Sequence, residues 1–180
     1  GFIRPNRRSN EAAIKYFVLG AFSLGILLYG MSLLYGLTGT THLRQIATAL
    51  AGTGGLLLPL AVLLLVAGVG FKIAAVPFHM WAPDVYEGAP TPVSGFMATG
   101  GKAAAFAALL LVFAPIVLSQ ESVLRDILAA LAAASMIYGN LAALVQASIK
   151  RMLAYSSIAH AGYILLGVLA GNSAGANGVL

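Results

Sequence analysis

Four basic side chains stand within or beside long apolar runs: Lys15, Lys72, Lys102 and His160. An ionisable group at the centre of a bilayer costs at least about 2.5 kcal/mol on insertion scales, so its presence calls for a functional reading first. Lys102 falls ten residues after Pro92, which places it ~15 Å into a helix, near a membrane midplane. Thr99, Gly100, Gly101 and Ala103 beside it are small enough to let a helix or water approach. Its stem is too short to snorkel from there, so it is either a proton carrier or a structural lysine paired to a carboxylate. Lys72 precedes Pro77 by five residues. It lies near the midplane if the helix breaks at Pro77, or snorkels to the interface if the helix simply ends. His160, ten residues after Lys150, is as deep as Lys102. Ser156 at i−4 and Tyr163 at i+3 share its face. An imidazole there either passes a proton or ties two helices together. Lys15 follows Glu11 by four residues, the order that favours an interfacial salt bridge, and that reading stands beside a functional one.

Successive buried amines and an imidazole suggest a proton relay. Burial disfavours a charged lysine and a nearby carboxylate restores it, so a moving partner would let the amine take up and release a proton. No metal site is expected: the three histidines lie far apart and there is no cysteine. The lack of cysteine also excludes iron–sulfur ligation and disulfides from these residues.

The elements that must hold these side chains are long and apolar. The chain is 60% hydrophobic and 8% charged, against about 45–50% and about 25% in ordinary soluble domains. So few charges cannot cover a water-facing surface. The fold class expected is all-α: a polytopic membrane helix bundle of about five spans, a single membrane domain over 1–180. The helices are expected at 11–37, 55–76 with a short piece at 78–87, 92–118, 122–145 and 148–170. Ser9 or Asn10 would cap the first, and Pro92 suits the first turn of the third. Prolines 77, 83, 90 and 92 cannot share one regular helix, so the second is read as discontinuous at Pro77. In the alternative, the helix stops at the interface with Trp81 and Tyr86 in an aromatic belt and His79 beside them. Asp84 and Glu87 are expected to face the surface or brace the loop.

The net charge of +5 is read as topology signalling, not as a nucleic-acid footprint. With alternating spans, Arg4, Arg7, Arg8, Lys150 and Arg151 fall on one side and Arg44 and Arg125 on the other. The excess puts the starting end in the cytoplasm. No signal-peptide cleavage pattern follows the basic start. The chain begins at Gly1 and closes on a loop-like run, 171–178, before Val179 and Leu180, so both ends are expected to be cut from a longer protein.

At this point the residues resemble a known family. The stretch 68–93, with Phe71-Lys72-Ile73, Val76-Pro77-Phe78-His79 and Trp81-Ala82-Pro83-Asp84-Val85-Tyr86, is similar to the hallmark of the antiporter-like subunit N of respiratory NADH-quinone oxidoreductase, complex I. So are Ala98-Thr99-Gly100-Gly101-Lys102, Glu11 to Gly20, Gly139-Asn140-Leu141 and Ile149 to Tyr163. The resemblance spans nearly all of the sequence. It implies the sixth to tenth helices of a bacterial inner-membrane subunit, with Lys15, Lys72 and Lys102 as its sixth-, seventh- and eighth-helix lysines. His160 would lie on the tenth helix, with Glu11, Ser156, Tyr163 and Lys150 in support. It also implies neighbouring antiporter-like and small membrane subunits, and NADH, FMN, iron–sulfur clusters and quinone in those partners, none in this chain. The family's key glutamate and its later lysine would lie outside these residues, so the segment alone is not expected to pump. An Mrp-type antiporter or membrane-bound hydrogenase subunit is the second reading, and a structural membrane anchor the third.

Overall fold

The computed structural model describes residues 5–50, 55–113, 123–170 and 172–179, and all regular structure among them is helical. The first helix, α1 (Arg7–Thr38), starts four residues ahead of Glu11. Asn6, not Ser9 or Asn10, caps it: its Oδ1 accepts from the Arg8 and Ser9 amides at 3.0 and 3.4 Å. Gly39 ends α1 in the left-handed region, at φ 66°, donating to the Tyr35 carbonyl. A short helix not expected from the sequence, α2 (Leu43–Leu50), follows and buries Ile46 and Leu50, one turn apart.

The centre of the bundle is α3 (Leu57–Ile73), apolar but for Lys72 in its last turn and buried along most of its length. At 17 residues it rises only ~26 Å. It stops because Ala74 turns left-handed, at φ 58° and ψ 40°, so the break falls three residues ahead of Pro77. Helix resumes at α4 (Trp81–Gly88). Irregular backbone inside a membrane bundle must find internal partners. Here the Ala75 amide donates to the Gly70 carbonyl at 2.9 Å. The Val76 amide donates to Ser135 Oγ at 2.9 Å, and that hydroxyl donates onward to the Leu131 carbonyl. Trp81 Nε1 donates to the Phe71 carbonyl at 2.9 Å. Trp81 and Tyr86 therefore do not form a lipid-facing belt. Both are buried, and Trp81 packs 5.1 Å from Tyr16 and 5.3 Å from Phe71 between ring centroids. His79 is buried too, 4.6 Å from the Tyr138 ring. Trp81→Phe keeps an aromatic ring but leaves the Phe71 carbonyl with the Ala74 amide as its one remaining donor, at 3.1 Å. It is expected to cost about 0.5–1.5 kcal/mol, the net worth of one hydrogen bond, read as a lower thermal midpoint of the complete protein in detergent.

The third long rod is not uniform. It runs as α5 (Thr91–Phe96), a π segment (Met97–Gly101), α6 (Lys102–Ala108) and a second π segment (Leu109–Phe113). The expected continuation to Leu118 lies outside the described residues, as do Arg4 and Ser122. Then α7 (Val123–Leu144) and α8 (Ile149–Ala170) pack along one another. Their approach depends on glycine: a Cβ at Gly139 would sit 2.7 Å from the Ala159 nitrogen, and one at Gly162 would sit 2.7 Å from the Ala132 oxygen. The run expected to be a loop holds a last helix, α9 (Ser173–Val179), started by Asn172, whose side chain accepts from the Gly175 amide at 2.8 Å.

Among the described residues, Arg7–Thr38, Thr91–Leu111, Arg125–Leu144 and Ile149–Ala170 are each long and apolar enough to cross a membrane. With the discontinuous α3–α4 element beside them, the architecture is a polytopic helix bundle. α1 and α3 share one core with α6, α7 and α8, built on Leu34, Leu65, Ile73, Phe106, Leu128 and Leu165. A second core around Phe71, Trp81, Tyr86 and Ile158 joins α4 to α1 and α8.

Candidate functional site

Lys102 begins α6 just after the first π segment, and it is buried at 7% exposure. Its Nζ donates to the Ser157 carbonyl at 2.9 Å and to the Ser157 hydroxyl, both on α8. No carboxylate pairs with it among the described residues.

A cavity of about 430 Å³ opens beside the amine, lined by Thr99, Lys102, Ser156, Ser157 and His160 among apolar residues. His160 stands on its exposed side. The partner of its Nδ1 is the Ser156 carbonyl, at 2.8 Å, rather than the Ser156 hydroxyl. Tyr163 does lie on the same face, 5.9 Å away edge to ring, and its hydroxyl accepts from Asn140 at 3.2 Å. The structure thus brings Lys102, His160 and Ser156 to one cavity.

The other expected residues lie elsewhere. Lys72 is exposed, on the last turn of α3, and does not share the Lys102 cavity. Lys150 donates to the Ala89 carbonyl at 3.0 Å, tying the start of α8 to the end of α4. Lys15 pairs with Glu11 at 2.6 Å, as the four-residue spacing suggested, and also with Asp84 at 2.6 Å.

That second contact belongs to an ion-pair network the sequence did not disclose. Asp84 takes Lys15 on one oxygen and Arg151 on the other, both at 2.6 Å. Arg151 also reaches Glu87 at 3.2 Å, and Arg8 approaches Glu87 at 3.7 Å. The starts of α1 and α8 therefore meet α4 at one end of the bundle. Gly88 allows it, since a Cβ there would lie 2.7 Å from the Ala12 Cβ and 2.8 Å from the Arg8 oxygen. Partial burial pushes the Asp84 carboxyl up, but hydrogen bonds and charge from Lys15 and Arg151 outweigh it and hold the group below its usual range. Sequence reasoning gave Asp84 a bracing role without its partners and passed over Ser157 as a ligand of Lys102. The available signal for Ser157 was its place three residues before His160 on an apolar helix.

A sequence model of the family described as "NADH:quinone oxidoreductase/Mrp antiporter, TM" matches residues 1–180. NADH-quinone oxidoreductase subunit N of Trichlorobacter lovleyi is 54% identical over 100% of this chain and 38% of its own length. A second subunit N, from Rhizobium meliloti, is 55% identical with the same two coverages. The chain thus spans less than half the length of these curated relatives. Among solved structures, respiratory complex I from Thermus thermophilus with bound aureothin contains a similar chain, 51% identical, with a TM-score of 0.79 over 94% of this chain and 36% of that one. The Mrp complex from Dietzia is more distant, 28% identical, with a TM-score of 0.78 over 88% of this chain and 29% of its own.

Proposed function

This chain belongs to the NADH:quinone oxidoreductase/Mrp antiporter membrane family, and from that premise we propose that it forms part of a subunit N that moves protons across a bacterial inner membrane, with its first helix starting in the cytoplasm. The observation that carries this reading is Lys102: an amine buried within an apolar rod, held by neutral oxygens, and opening onto a cavity shared with His160. With no carboxylate beside it among the described residues, its charged form is costly, and small changes around it suffice to move a proton on or off. Lys72, Lys15 and His160 extend the relay, with links supplied by water and by the remainder of the protein. The energy comes from electron transfer between NADH, FMN, iron–sulfur clusters and quinone in partner subunits, beside neighbouring antiporter-like and small membrane subunits. The likeness to relatives named subunit N, at 54% and 55% identity, favours this over an Mrp-type antiporter, at 28%.

The test uses the complete subunit in its assembled complex, reconstituted into vesicles. Lys102→Met is expected to lower the number of protons moved per electron while the complex still assembles. Undiminished proton translocation in that variant would overturn the reading.

A further inference from the structure

Lys102 meets a single residue twice. Ser157 offers its backbone carbonyl at 2.9 Å and its side-chain hydroxyl to the same Nζ. The two oxygens differ in what they can do. A carbonyl only accepts, so it serves an N–H of either charge state. A hydroxyl accepts from an ammonium and can also donate to the lone pair of a neutral amine. We propose that Ser157 is the positioning residue for proton exchange at Lys102, its hydroxyl holding the amine in place in both charge states; this rests on the relay reading of Lys102.

The surroundings leave that task to Ser157. Among the described residues, no acidic side chain lines the cavity, and the titratable residue beside Lys102 there is His160 on α8. From α4, the Tyr86 hydroxyl is buried beside Ser157 without closing a hydrogen bond to it. α3, which packs on α6, carries Lys72 as its one ionisable residue, and that side chain is exposed. α9 contributes Val179 to the cavity and the rod itself contributes Thr99. A carboxylate in the place of Ser157 would clamp the ammonium. A serine lets the proton leave and still gives the neutral amine a partner. In the exchange the proton passes from Nζ to water or His160 in the cavity. The Ser157 O–H then turns to the freed lone pair, and no covalent bond of serine breaks.

The experiment follows the pH profile of proton translocation by the assembled complex, with the complete subunit in vesicles. Ser157→Ala removes an acceptor from the ammonium, so deprotonation becomes easier. The alkaline limb is expected to move down by about one pH unit, with a loss of up to about tenfold on that side. Ser157→Thr restores the original profile, and the shift persists in a His160→Gln background. If Ser157→Ala does not assemble, Ser157→Cys makes the same comparison with a poor donor and acceptor. An unchanged profile in the assembled alanine or cysteine variant overturns the inference. If Lys102→Met abolishes translocation while that profile is unchanged, only the role of Ser157 falls. If Lys102→Met translocates normally, the relay reading falls and takes this inference with it.

Discussion

Gly139→Leu is expected to remove most of the folded subunit from its complex. The position sits where α7 and α8 run close together, and even a first added carbon would lie 2.7 Å from the Ala159 nitrogen and 2.9 Å from the Tyr155 oxygen. Those are backbone atoms of a regular helix, so no side chain can swing aside to make room. The helices must separate, and the contact around Ala154, Ile158 and Ala159 loosens with them. Overpacking a tight core costs about 1–3 kcal/mol, and a leucine against backbone belongs at the upper end. Because about 1.4 kcal/mol is a factor of ten in an equilibrium, assembled subunit is expected to fall at least about tenfold, read by native electrophoresis of solubilised membranes. Gly36→Ala provides the contrast: a Cβ there meets nothing within 4 Å, and assembly is expected to be unchanged.

The second large effect is expected from Asp84→Asn. The asparagine keeps the shape of the side chain but gives up the charge that joins Lys15 of α1 to Arg151 of α8. Arg151 retains Glu87 and Lys15 retains Glu11, so the network is weakened rather than erased. A hydrogen bond to a charged group is worth about 1.5–3 kcal/mol. The Lys15 side counts for less, because that side chain is 41% exposed and solvent screens it. A loss of about 2 kcal/mol is expected, measured as a lower thermal midpoint in detergent and a weaker dependence of that midpoint on salt. The same group sets an acid limit. Its folded carboxyl titrates below the ordinary value of 3.8, so its contribution is complete above that value and disappears as pH falls through the lower, folded one. The wild type is expected to lose stability over that acid range, and Asp84→Asn to lose less.

How much of this was legible beforehand varies with the residue. Long apolar runs and four clustered prolines were enough for the helices and for the interruption of the second one. Its exact place was not, because Ala74 adopts a left-handed backbone that nothing in an alanine advertises. The start of α1 was misplaced because Arg7 and Arg8 read as a polar flank while Asn6 was already capping them. α2 has only eight residues, too short for apolar periodicity to declare itself. The depth of Lys102 followed from counting along a helix, but its partner did not, since Ser157 lies 55 positions away. The direction taken by Lys72 was hidden for another reason. Apart from Lys72 itself, α3 is apolar on every side, so no amphipathic stripe marks which face packs.

Those two lysines end up in different settings, Lys102 buried and Lys72 exposed. In electrical language, the bundle has one terminal wired, at Lys102, and one bare, at Lys72. Among the described residues, no hydrogen bond or shared cavity joins the two. Whatever closes that circuit has to approach the outer face of α3 and bring its own polar group, because a cation left against hydrocarbon would cost at least about 2.5 kcal/mol.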